Sequence, residues 1–94
     1  MKRYKTRPGV VLTEIAGQHM LVAARELRPL CPYTVQINET AAFCWRILEG
    51  GADLDALTAA MMKEYDIADP AEVRSDLEEL LEQLQKCNYL TEEL

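Results

Sequence analysis

The chain has 94 residues, about half of them apolar, and a formal net charge of −6. That length supports one domain with one core and leaves little room for an enclosed active site; no apolar run approaches the roughly 20 residues that cross a bilayer. The charge is split, with a net +4 on residues 1–30 and a net −10 on residues 31–94, so the larger part of the molecule is a poor binder of polyanions.

In chain order, residues 1–8 read as a flexible, basic lead-in ending at Pro8-Gly9, and residues 9–94 as the folded domain. The basic start is not followed by an apolar h-region, so it is no signal peptide. Val10 to Ile15 is β-branched and apolar enough for a first strand. Gly17-Gln18 suits a two-residue hairpin turn, with Gly17 supplying positive φ, and His19 to Ala24 returns as a second strand. Arg25 to Pro32 contains two prolines and no periodicity, which predicts a loop. Tyr33, Thr34, Val35, Gln36 and Ile37 alternate as a third strand, with Tyr33, Val35 and Ile37 on one face.

The helices carry clearer signals. Asn38 is an N-cap for a helix over Glu39 to Glu49, ended by Gly50-Gly51. Asp53 caps a second, Leu54 to Tyr65, with Leu57, Met61 and Tyr65 continuing its apolar stripe. Asp69-Pro70-Ala71-Glu72 opens a third: cap, proline at the first helical position, glutamate three residues after the cap. Val73, Leu77, Leu80, Leu81 and Leu84 form its apolar face. Asn88 can take the left-handed conformation that ends it, folding Tyr89-Leu90 back onto the core. Nothing further is expected after these helices. The predicted class is α+β: a three-stranded antiparallel sheet followed by three helices, winged helix-turn-helix-like.

No catalytic set is visible. His19 is the sole histidine and has no second ligand to make a metal site. Cys31, Cys44 and Cys87 are widely spaced and unpaired, which excludes a disulfide framework and a zinc site and fits reduced thiols in the cytoplasm. Cys44 and Cys87 read as small core residues. Cys31, in the proline-rich loop, reads as an exposed bystander thiol without a paired base. The carboxylates of the third helix sit at helical spacing with few basic partners, a solvated face. No cofactor, metal or catalytic residue is expected.

Two binding classes remain. A winged-helix DNA-binding regulator would insert the third helix in the major groove. That helix carries Glu72, Asp76, Glu78, Glu79 and Glu82 against Arg74 and Lys86, the wrong sign for phosphates. The alternative is peptide binding by strand addition, in which an open strand edge pairs with an extended peptide and an adjacent apolar groove takes its side chains.

The run Val35-Gln36-Ile37-Asn38-Glu39-Thr40-Ala41-Ala42-Phe43-Cys44-Trp45, then Leu48-Glu49-Gly50-Gly51, resembles the strand-to-helix hallmark of the PqqD-like family, the pyrroloquinoline quinone synthesis D proteins or RiPP recognition elements. Gly9-Val10-Val11-Leu12 with Ile15 to His19 resembles that family's opening hairpin. Glu64-Tyr65-Asp66-Ile67, Val73 to Leu77 and Leu80 to Leu84 resemble its second and third helices. The likeness spans residues 9–90. It implies a non-catalytic peptide chaperone that binds the leader of a ribosomally made precursor peptide as a fourth strand. The chaperone would present that leader to a modifying enzyme, a radical S-adenosylmethionine enzyme being the implied partner, as a monomer or homodimer without nucleic acid or membrane. The implied site is the edge Tyr33, Thr34, Val35, Gln36 and Ile37 with a helix wall drawn from Val73, Arg74, Leu77, Leu80, Leu81 and Leu84. Val73, Leu77 and Leu81 share one stripe and are the cleft candidates. Cys87-Asn88 stands where a glycine is common in the family.

Overall fold

Residues 3–6 form a strand, not a frayed lead-in. The computed structural model describes residues 2–31 and 34–93, and in it β1 (Arg3–Thr6) is the middle strand of a three-stranded antiparallel sheet. On one side it pairs with the two-residue β5 (Ala52–Asp53), Tyr4 opposite Ala52. On the other it pairs with β6 (Leu90–Glu93), Thr6 opposite Leu90. Neither β5 nor β6 was expected. Both are short and lack alternation of their own, so only a distant partner gives their backbone groups a ladder.

Pro8 and Gly9 then turn the chain, with the Val10 N–H closing on the Arg7 carbonyl at 3.1 Å. Gly9 has φ +93°, and a Cβ there would come within 2.8 Å of Leu27 Cδ1. The positive φ is what favours glycine here, since the Leu27 methyl is the end of a flexible side chain and can move aside.

The second sheet is a meander. β2 (Val10–Ile15), β3 (Gln18–Ala23) and β4 (Val35–Ile37) pair antiparallel in that order. Ile15 stands opposite Gln18, so the turn is Ala16-Gly17, one residue earlier than predicted. Both residues have positive φ, 53° and 80°, as the type I′ hairpin turn requires; alanine gives no sequence signal for that conformation. The predicted loop includes a short 3₁₀ turn, Arg25–Leu27, and Tyr33 lies outside the described residues.

The helices match the sequence closely. α1 (Glu39–Leu48) starts at Asn38, whose Oδ1 accepts from the Ala41 N–H at 2.8 Å. α2 (Leu54–Tyr65) starts at Asp53, which caps Ala56 N–H, and ends at left-handed Asp66. α3 (Pro70–Lys86) starts at Asp69, which caps Ala71 N–H. Asn88 follows α3 with φ 62° and returns Tyr89 and Leu90 to the interior, both buried.

One core lies between the sheets and the helices. It joins Leu21 of β3, Trp45 and Leu48 of α1, Leu57 of α2, Leu77 and Leu81 of α3, and Tyr89. Trp45 and Tyr89 meet edge-on, centroids 6.5 Å apart, an arrangement aromatic quadrupoles favour. No helix among the described residues is long and apolar enough to cross a membrane.

Candidate peptide-binding groove

β4 is an edge strand, and the hydrogen-bond parity of the sheet decides what that edge offers. A two-residue hairpin closes on a bonded pair, here Ile15 and Gln18, and bonding alternates along the ladder. Gln18, Met20 and Val22 therefore turn their backbone groups to β2. The Ala24 N–H continues this parity, donating to the Gly9 carbonyl at 2.7 Å. His19 and Leu21 turn theirs to β4, opposite Ile37 and Val35. That leaves the N–H and C=O of Gln36 pointing away from the sheet.

Beside this edge runs a groove. Its first stretch, about 440 Å³, is lined by Val35, Gln36, Ile37 and Ala41 on one side and by Leu80, Gln83, Leu84 and Cys87 of α3 and its cap on the other. It continues as a cavity of about 450 Å³ past Asn38 and Thr40, between the start of α1 and the first half of α3, with Asp76, Leu77 and Leu80 on the α3 side. Asp76, Leu80, Gln83 and Cys87 follow at steps of three and four residues, one stripe of the helix.

The neighbouring stripe is core. Val73, Leu77, Leu81 and Leu84 are all buried. Val73 and Leu77 reach the floor of the second stretch and Leu84 that of the first. Leu81, expected as a cleft residue, lines neither stretch; it packs inward. Arg74 also departs from the expected wall, because its Nη1 pairs with the Asp55 carboxylate on α2. Leu80, named in the expected helix wall but not among the cleft candidates, is the leucine that borders the groove. It is half-buried, lines both stretches, and is the one leucine of the helix outside the core stripe.

His19 sits in the sheet opposite Ile37, near Arg46 and Glu49 in a separate shallow depression. Among the described residues no cluster of His, Cys, Asp or Glu could hold a metal ion. Cys31 is not an exposed thiol: it is 2% exposed and its Sγ donates to the Asn88 carbonyl at 3.3 Å. Burial pushes its pKa up, partly offset by Arg7. Cys44 is buried in α1, and burial pushes its thiol up to about 11. Both are the reverse of an activated nucleophile.

An open sheet edge with outward main-chain groups, bordered by an apolar groove against a helix, has the geometry that strand addition uses. The family model for coenzyme PQQ synthesis protein D (PqqD) matches residues 30–90, and the chain belongs to that family. Among curated proteins there is no match. Among solved structures, TbiB1 in complex with the TbiA(beta) leader peptide is similar in fold. Its TM-score is 0.72 at 22% sequence identity, covering 92% of this chain and 93% of that one.

Proposed function

We propose that this protein is a non-catalytic chaperone that binds the leader of a ribosomally made precursor peptide along β4 and presents it to a modifying enzyme, a radical S-adenosylmethionine enzyme being the partner class the family resemblance suggests. The observation that carries this reading is the outward-facing Gln36 backbone beside the Leu80 groove. The leader adds as a strand on β4, and its alternate side chains enter the groove against Leu80, Leu84, Ala41 and Cys87. The fold's likeness to a protein solved with a leader peptide supports the same reading.

The magnitudes require both parts of the site. The two bonds to Gln36 contribute about 2 kcal/mol net, whereas micromolar binding needs about 8 kcal/mol. The remainder is of the size that two to four buried apolar side chains provide, at about 1.5–3 kcal/mol each. DNA binding has the opposite support: Glu72, Asp76, Glu78, Glu79 and Glu82 are all exposed on α3, facing phosphates with like charge.

The test is Gln36→Pro. Proline removes the outward donor while an edge strand tolerates it. The variant should keep its melting temperature within a few degrees and lose binding to the leader segment of its cognate precursor peptide. A variant that still binds at wild-type affinity would place the peptide elsewhere.

A further inference from the structure

Asn88 does more than end α3. Its φ of 62° is the left-handed cap conformation, which glycine would serve as well or better. A glycine, however, would lack the side-chain amide, and here the Asn88 Nδ2–H donates to the Leu30 carbonyl at 2.8 Å. The Asn88 carbonyl accepts from Cys31 Sγ at 3.3 Å and from Arg7 Nε at 2.5 Å. The next residue continues the junction, with the Arg7 N–H donating to the Tyr89 carbonyl at 2.8 Å. Three segments therefore meet on one residue: the end of β1, the Leu30-Cys31 segment that leads toward β4, and the end of α3.

Position gives this junction its consequence. Lys86 and Cys87, just before Asn88, line the groove opposite Val35 and Gln36. We infer that the Asn88 amide is a positioning device for the groove: it fastens the segment entering β4 to the end of α3 and so sets the separation of the two walls at the Cys87 end. What the groove holds rests on the leader-binding reading above; the fastening itself does not. A leader that adds to β4 meets walls already at a fixed distance, so less ordering entropy is lost on binding.

The chain's own thiols test this without any peptide. Cys31 is held under the junction, Cys44 lies in the core of α1, and Cys87 is half-buried at the groove. The experiment labels the intact protein with iodoacetamide, resolves the three sites by mass spectrometry, and compares wild type with Asn88→Gly. Glycine keeps the left-handed cap and removes only the amide. Cys31 should label about threefold to tenfold faster, the change expected from losing one solvent-exposed hydrogen bond, while Cys44 keeps its wild-type rate. Amide exchange at Val35 and Ile37 should quicken with it. Asn88→Asp, which keeps the size and backbone preference but has no donor, should behave like the glycine variant. Unchanged Cys31 labelling in both would show the amide to be dispensable and overturn the inference. Equal acceleration at Cys31 and Cys44, or failure of both variants to fold, would reduce Asn88 to a general stability residue and overturn it too. Because no leader enters the measurement, a failure here leaves the proposed function untouched, and a failure to bind a leader leaves this result standing.

Discussion

The two sheets are built on opposite plans. β2, β3 and β4 follow one another as a meander, one edge left open beside the groove. β5, β1 and β6 come from segments far apart in sequence and clasp one another, β1 between the other two. The meander pairs strands that are consecutive in the chain and can spare an edge. The clasp carries Leu90 and Tyr89 into the core and ties β1 over the helices. The difference teaches that the open edge and the long-range ties of the fold lie in separate sheets, although β3 also gives Leu21 to the shared core, so that a mutation at the β4 edge can leave the clasp intact.

Breaking the clasp should have the largest effect. Removing residues 2–6 deletes β1 and leaves both β5 and β6 without a ladder partner. The loss should be about 3–5 kcal/mol, from several ladder bonds at roughly 1 kcal/mol net each and the exposure of Leu90. Urea denaturation measures it. A midpoint within error of wild type would mean that the clasp is decoration and the meander folds with the helices alone.

The next comparison separates the two stripes of α3. Leu81→Ala opens a cavity in the shared core and should cost about 2–5 kcal/mol of stability, with leader affinity per folded molecule unchanged. Leu80→Ala should do the reverse: little change in stability, and an affinity loss of about 1–2 kcal/mol from a thinned groove wall. Paired melting and titration curves decide it. If Leu81→Ala weakens binding more than Leu80→Ala does, the groove has been assigned to the wrong stripe.

Much of this arrangement was readable beforehand, and the reasons are local. Asn38, Asp53 and Asp69 announce helix starts because a cap acts through bonds two or three residues away. Val35-Gln36-Ile37 announces a strand because alternation is local too. β1, β5 and β6 were invisible because their partners lie elsewhere in the sequence. β1 also reads as a basic tail, since Arg3, Lys5 and Arg7 mask the half-buried Tyr4 between them. The site was legible by halves for a similar reason. The β4 edge follows from strand order, but five apolar residues on one helix do not say which of two adjacent stripes faces the core. Only the placement of α3 beside β4 separates Leu80 from Leu81.

Cys44 reports on the core that both sheets share. An ordinary thiol ionises near 9, and in the folded protein Cys44 is held at about 11. Below pH 9 the thiol is neutral in both states and contributes nothing to pH dependence. Between 9 and 11 the unfolded chain loses the proton that the folded one keeps, so the unfolded state binds fewer protons and stability falls as pH rises. The contribution should be at most about 3 kcal/mol across that window. It appears as the difference in slope between wild type and Cys44→Ala when urea stability is plotted against pH, the other titrations being common to both. Parallel curves would mean that the thiol is hydrated in the folded state.

The smallest effect belongs to Arg74, and it tests the border of the site. Its guanidinium is partly exposed and pairs with an Asp55 carboxylate that is about half exposed. It therefore joins α3 to α2 on a face that lines neither stretch of the groove. Exposed pairs of this kind contribute about 0–1 kcal/mol and are screened by salt. Arg74→Gln should accordingly lower stability by less than about 1 kcal/mol, with the difference shrinking as sodium chloride is raised. Leader affinity should not move, because no part of the groove loses a contact. The two readouts separate two roles for one charge. A salt-dependent change in stability alone identifies a helix-to-helix tie. A loss of affinity at constant stability would show that the leader reaches beyond Asp76 to the α2 side of the helix, and that its own acidic groups, not only its apolar ones, are read there.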